Sequence, residues 1–139
     1  MKENIVIIPT YNEIENIEAI IRFVFGLNTR FDILIVDDGS PDGTADVVKK
    51  LMSEFPERLF ILERKGKLGL GTAYITGFKW CLENGYEYIY EMDADFSHNP
   101  ADLENLYKAC KEGADVAVGS LLSSGVDSSY VAACFKGDK

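Results

Sequence analysis

Cysteine, proline, histidine and tryptophan are all scarce in these 139 residues, at three, four, one and one, and what is missing narrows the reading. Cys81, Cys110 and Cys134 are widely spaced and odd in number, with no Cys-x-x-Cys pair. Neither a disulfide framework nor a thiolate metal site is visible, so a reducing cytoplasm is the expected setting. Cys81 and Cys110 fall on apolar helical stripes, where cysteine serves as a small core residue. Basic residues are outnumbered 14 to 23 by acidic ones, for a formal net charge of −9. That balance argues against a nucleic acid held through its phosphates. It leaves room for a small anion, because a local site can be positive on an acidic surface. No apolar run approaches the ~20 residues that cross a bilayer, and Met1 to Glu3 lead straight into a strand with no signal-peptide pattern. Work at a membrane would then require a surface contact or a region outside these residues.

What is present is a globular composition, 47% hydrophobic, of a length that suits one domain burying roughly two-thirds of its unfolded surface. Short β-rich runs alternate with helical stripes. Asn4 to Ile8 reads as a buried strand ended by Pro9, and Ile14, Ile17, Ile21 and Val24 then recur at helical spacing. Asp32 to Val36 is a second strand, stopped by Asp37-Asp38-Gly39-Ser40-Pro41. Val47, Val48, Leu51, Met52 and Phe55 make a second helical stripe, and Leu59 to Leu62 a third strand. Leu70, Ala73, Tyr74, Gly77, Phe78, Cys81 and Leu82 line one face of a third helix. Tyr86 to Met92 is a fourth strand, followed by Asp93-Ala94-Asp95. Pro100 suits the first position of a helix carrying Leu103, Leu106, Tyr107 and Cys110, and Ala114 to Val118 is a fifth strand. This alternation predicts a parallel, doubly wound α/β sheet. Beyond Ser120 the chain turns Ser- and Gly-rich with no clear period, so residues 1–120 read as the domain and 121–139 as an atypical tail, either disordered or the start of an incomplete second part.

In such a sheet ligands sit beyond the carboxyl ends of the strands, near the point where strand order reverses. The residues to inspect are therefore Pro9 to Glu13, Asp37 to Ser40, Arg64 to Lys67 and Asp93 to Asp95. Asp93 and Asp95 flank a small residue at a strand end, and alternation turns both carboxylates to one side. They suit a hard cation such as magnesium, which takes one or two carboxylates with phosphate oxygens and water completing the shell. Alone, an Asp-x-Asp is also an ordinary strand-end turn. Adjacent carboxylates at Asp37 and Asp38 repel unless donors engage them, and a nucleoside could supply those from ribose hydroxyls or base N–H groups. Tyr11 offers a flat face for a base. Glu13 serves either a sugar hydroxyl or the first turn of a helix. Gly66 to Gly71, with Lys65 and Lys67, precedes a helix N-terminus and suits an anion, although both lysines are equally read as solvated loop charges. No Gly-Lys-Ser/Thr follows at P-loop spacing.

Four runs together are similar to the dolichol-phosphate mannose synthases, inverting family 2 glycosyltransferases of GT-A fold. They are Pro9-Thr10-Tyr11-Asn12-Glu13, Val36-Asp37-Asp38-Gly39-Ser40-Pro41-Asp42-Gly43-Thr44, Lys67-Leu68-Gly69-Leu70-Gly71-Thr72-Ala73-Tyr74 and Met92-Asp93-Ala94-Asp95-Phe96-Ser97-His98-Asn99-Pro100. The resemblance covers about residues 4 to 120. It implies a Rossmann-like three-layer sandwich with a mostly parallel central sheet, truncated relative to the family. It implies that Pro9, Tyr11, Glu13, Val36 and Asp38 contact the nucleoside of a GDP-sugar. Asp93, Ala94 and Asp95 would lie at the diphosphate, with Asp95 the principal ligand of Mg2+ or Mn2+. Lys67 and the Gly69–Gly71 turn would border the acceptor, beside His98, so that Asp93, Asp95 and Lys67 carry the catalytic roles. The implied reaction moves mannose from GDP-mannose to a polyprenyl phosphate with inversion, at the cytoplasmic face of a membrane reached by peripheral contact through a region absent here. Competing expectations are another donor such as UDP-glucose, or a catalytically incomplete nucleotide-sugar-binding fragment. The last is favoured by one departure: after Val118-Gly119-Ser120 the family continues with an arginine and an aromatic, whereas Leu121 and Leu122 follow here.

Overall fold

A computed structural model describes residues 3–65, 70–94, 99–113, 116–120 and 129–134, the last two segments as backbone. The order of elements is β1 (Asn4–Thr10), α1 (Ile17–Phe25), β2 (Asp32–Asp37), α2 (Thr44–Glu54), β3 (Leu59–Glu63), α3 (Leu70–Glu83), β4 (Tyr88–Glu91), a 3₁₀ turn (Pro100–Asp102), α4 (Leu103–Lys111), β5 (Val116–Ser120) and β6 (Ser129–Cys134). The strands form one six-stranded sheet in the order β3-β2-β1-β4-β6-β5. The β3, β2, β1 and β4 ladders are parallel, while β6 runs antiparallel to both of its neighbours, β4 and β5. The parallel, doubly wound arrangement expected from the alternation is therefore present. The antiparallel β6 is an addition that the unperiodic composition of residues 121–139 does not announce.

Strand alternation assigns each side of the sheet its own core. Val6, Ile8, Ile33, Ile35, Tyr88 and Tyr90 face α1, α2 and α4 and pack with Ile17, Ile21, Val48 and Leu106. Ile5, Ile7, Leu34, Val36 and Ile89 face α3 and pack with Ala73 and Cys81. The central strands are buried on both faces, which is why they read as unbroken aliphatic runs rather than as an apolar–polar alternation. On the α3 side, a Cβ added to Gly77 would stand 2.9 Å from Ile7 Cγ2 and 3.3 Å from Val36 Cγ2. Glycine at that position is what lets the helix lie close on β1 and β2.

Two boundaries depart from the sequence reading for local reasons. Pro9 lies inside β1 instead of ending it, because the register with β4 stops at Ile7–Glu91 whereas that with β2 continues to Thr10–Asp37. From Pro9 onward β1 is an edge on the β4 side, where a missing N–H is tolerated. Ile14, expected on the α1 stripe, is 40% exposed and precedes the helix, and Leu82 on α3 is 46% exposed. Pro100 opens a 3₁₀ turn, with the Asn99 side chain accepting from the Ala101 N–H at 3.0 Å. Cys81 is a buried free thiol, and Cys110 is also buried. Among the described residues, no helix is long and apolar enough to cross a membrane.

Candidate functional site

The chain proceeds outward from β1 to β2 and β3, then returns to the other side of β1 as β4. Strand order thus reverses between β1 and β4, and the loops leaving their carboxyl ends open a crevice there. Of the four segments singled out in the sequence, those after β1 and β4 flank that reversal, the one after β2 lies one strand away, and the fourth begins with Arg64 at the tip of β3.

The loops after β1 and β2 are fastened to each other. The Asn12 N–H donates to Ser40 Oγ at 2.8 Å, Glu13 N–H to Thr44 Oγ1 at 3.0 Å and Ile14 N–H to Asp42 Oδ2 at 3.2 Å. Asn12 adopts φ 58°, and Gly39 and Gly43 take φ 74° and 94°, the left-handed region that asparagine and glycine tolerate best. Asp42 also accepts from the Thr44 N–H at 3.0 Å. Burial pushes its carboxyl up, but the bonds from Thr44 and Ile14 outweigh that and hold it below the ordinary carboxylate range. The result is a fixed rim that presents Tyr11, 37% exposed, and half-buried Glu13 at the mouth.

The paired acids at the tip of β2 have separate duties. Asp37 is buried; it accepts from Thr10 Oγ1 at 2.7 Å, from Ser40 Oγ at 2.6 Å and from the Ser40 N–H at 3.0 Å. Asp38 forms a two-point ion pair with Arg64, Nε to Oδ1 at 2.7 Å and Nη2 to Oδ2 at 3.0 Å. The side chains are 10% and 9% exposed for Arg64 and Asp38. The fork is anchored further by Nη1 donating to Thr72 Oγ1 at 3.1 Å. Donors for both carboxylates thus come from the protein, where the sequence reading looked to a nucleoside. Asp37 Oδ1 accepts two of these bonds, which takes up both of its lone-pair positions.

At β4 the alternation of the strand persists past its last residue. Met92 and Ala94 enter the core on the α1/α2/α4 side, whereas Asp93 turns to α3, where Tyr74 Oη donates to its Oδ1 at 3.4 Å. Burial, followed by the nearby charges of Asp93 and Glu91, pushes the Tyr74 hydroxyl far above its ordinary pKa, so it stays a donor. Burial likewise raises the Glu91 carboxyl. Pro9 is half-buried, Val36 is wholly buried against α3 and Ala94 is 4% exposed on the α1/α2/α4 side, so the last two offer a ligand little side-chain surface. Lys67, Asp95, His98 and Gly69 lie outside the described residues.

The donor chemistry suits a divalent hard cation. Among the described residues no group of three or more His, Cys, Asp or Glu side chains could hold a metal by itself. The half-buried Asp93 carboxylate has the oxygen chemistry that Mg2+ or Mn2+ takes from one or two protein acids when substrate phosphates complete the shell.

Arg64 belongs to a loop that the sequence marks for inspection but carries no role of its own there, and Tyr74 reads as a core residue of the third helix. A signal for Arg64 exists: Asp37 and Glu63 are register partners, so the next residue of each strand, an acid and a base, must meet at adjacent tips. Tyr74 carries no such signal, since an aromatic on an apolar helical stripe reads as core.

The Glycosyl transferase family 2 model matches residues 5–131. The chain is 47% identical over 119 residues to a polyprenol monophosphomannose synthase of Mycolicibacterium smegmatis, covering 86% of this chain and 45% of that protein. It is 46% identical over 114 residues to an undecaprenyl-phosphate mannosyltransferase of Micrococcus luteus, covering 82% and 46%. Among solved structures it resembles the mannosyltransferase PcManGT from Pyrobaculum calidifontis, in complex with GDP-Man and Mn2+, with TM-score 0.70 and 26% identity over 86% of this chain and 35% of that one. S. aureus TarS in complex with UDP shares the fold, with TM-score 0.70 at 24% identity over 91% and 38%. The chain thus spans less than half the length of the curated relatives it matches.

Proposed function

We propose that this chain, which belongs to glycosyl transferase family 2, binds a nucleotide sugar and serves as the donor half of a metal-dependent, inverting transferase that moves mannose from GDP-mannose to a polyprenyl phosphate. One observation supports the reading: the Asp38–Arg64 pair at the tips of β2 and β3 and Asp93 beyond the tip of β4 are each tied to α3, through Thr72 and Tyr74, with Tyr11 in the loop after β1. The names of the relatives, and the GDP-Man and Mn2+ held by PcManGT, support the choice of sugar and cation. We assign donor binding to residues 1–120, with β6 completing the sheet from within 121–139.

In this reading Tyr11 lies against the base, while Glu13 and Asp38 accept from the nucleoside. The rim held by Ser40, Asp42 and Thr44 fixes those groups before the donor arrives, so little ordering remains to be done on binding. A divalent cation held by Asp93 and Asp95 supplies charge neutralisation for the departing diphosphate. The acceptor phosphate is already an anion near neutral pH, so a strong general base is not required. The protein's work is positioning and electrostatic stabilisation of an oxocarbenium-like sugar. Lys67 borders the acceptor, and contact with the cytoplasmic face of a membrane follows from that lipid.

Calorimetric titration of GDP-mannose and UDP-glucose, each with Mg2+ and with Mn2+, tests the donor assignment; a clear preference for UDP-glucose overturns the choice of mannose. Transfer of radiolabelled mannose to a short polyprenyl phosphate tests the activity, and tight donor binding without product assigns the chain to a binding role alone.

A further inference from the structure

Asp93 stands two residues beyond Glu91, the last residue of β4, so no ladder bond of β4 fixes the direction of its carboxylate. One group does reach it. Tyr74 Oη lies 3.4 Å from Oδ1, and the Tyr74 ring packs against the core between α3 and the sheet. That core is set by the close approach of α3 at Gly77, less than one helical turn further along the same helix. The hydroxyl is thus delivered from a rigid helix to a residue that otherwise hangs from the end of a strand. A carboxylate only accepts, so Tyr74 is the donor and occupies one of the lone-pair positions of Oδ1. Glu91 lines the same groove on α3 as Tyr74, yet the phenol donates to Asp93.

We infer that Tyr74 is a positioning residue: its hydroxyl orients the Asp93 carboxylate for a divalent cation, so that α3 sets the geometry of the metal site from outside it. The inference rests on the metal-dependent reading given above. Partners of this kind, which touch the ligating group and not the ion, change metal affinity by about 10- to 100-fold when lost.

The test compares the unaltered chain with Tyr74→Phe and Asp93→Asn. Free Mn2+ is followed by electron paramagnetic resonance in the presence of GDP, and GDP affinity is measured separately by calorimetry in EDTA. Tyr74→Phe keeps the ring and its packing, so cooperative melting is retained. Mn2+ affinity is expected to fall about 10-fold, with metal-free GDP affinity within about twofold of the unaltered chain. Mn2+ affinity within twofold of the unaltered chain, alongside a large loss in Asp93→Asn, overturns the role of Tyr74 and leaves the metal reading standing. An equal loss of Mn2+-dependent and metal-free GDP binding overturns it too, because a loosened helix would weaken both. Unaltered Mn2+ binding in Asp93→Asn, or none in the original chain, removes the metal reading and this inference with it.

Discussion

Replacing Arg64 with methionine isolates the electrostatics of the crevice. The substitution keeps an unbranched apolar stem and removes both N–H bonds to Asp38, at 2.7 and 3.0 Å, and the one to Thr72. Unit charges about 4 Å apart attract by about 4 kcal/mol at an effective dielectric near 20. With side chains only 10% and 9% exposed, water recovers little of that. The larger effect is the carboxylate left behind: removing one partner of a buried pair costs about 3–5 kcal/mol, a large part of the roughly 5–15 kcal/mol that holds a domain together. Urea unfolding of Arg64→Met is expected to show a lower midpoint with an unchanged slope. Adding Asp38→Asn removes the stranded charge, so the double variant should regain about 2 kcal/mol over Arg64→Met, and the double-mutant cycle should give a coupling of similar size. A loss below about 1 kcal/mol in Arg64→Met, or no coupling, would show that the pair is solvated and refute this account. Donor affinity, read by calorimetry, should fall in Arg64→Met because Asp38 loses its fixed direction, and in the double variant because the carboxylate itself is gone.

Gly77→Ala gains helix propensity but places a methyl 2.9 Å from Ile7 Cγ2 on a buried strand; a net destabilisation of about 1–3 kcal/mol is expected, and a rise in melting temperature would contradict it. Tyr90→Phe removes the 2.8 Å bond from the buried phenol to Asn4 Oδ1, and leaving that oxygen unpaired should cost about 1–3 kcal/mol in urea unfolding. Asp42→Ala should cost about 1 kcal/mol at neutral pH through the lost bond to the Thr44 N–H at the start of α2. Its hydrogen bonds hold the folded-state pKa of Asp42 below the ordinary aspartate range, so this contribution is complete above that range and is lost as pH falls through the lower folded value. Melting curves of the two proteins should therefore converge in strong acid, and a gap that persists there would assign the effect elsewhere.

The periodicity of the chain determined much of what is seen. The short, β-branched run Ile33-Leu34-Ile35-Val36 suits a strand buried on both faces, and the stripe of Ile17, Ile21 and Val24 suits a helix laid on it, as both are found. Together they require a parallel α/β sheet whose chemistry lies at the strand tips. The sequence also placed the acids at those tips: Asp37 ends β2, Asp38 follows it, and Asp93 lies two residues beyond β4. What it could not contain is which group answers which across the sheet. Asp37 and Asp38 look alike in the chain, yet Thr10 and Ser40 enclose one while Arg64, 26 residues away in the chain, grips the other. The partner of Asp93 is likewise a tyrosine 19 residues before it, on a helix that reads as core. The position of β6 between β4 and β5 was invisible for the same reason: local pattern specifies an element, whereas pairing is decided by distant backbone groups that must find partners when the sheet is buried.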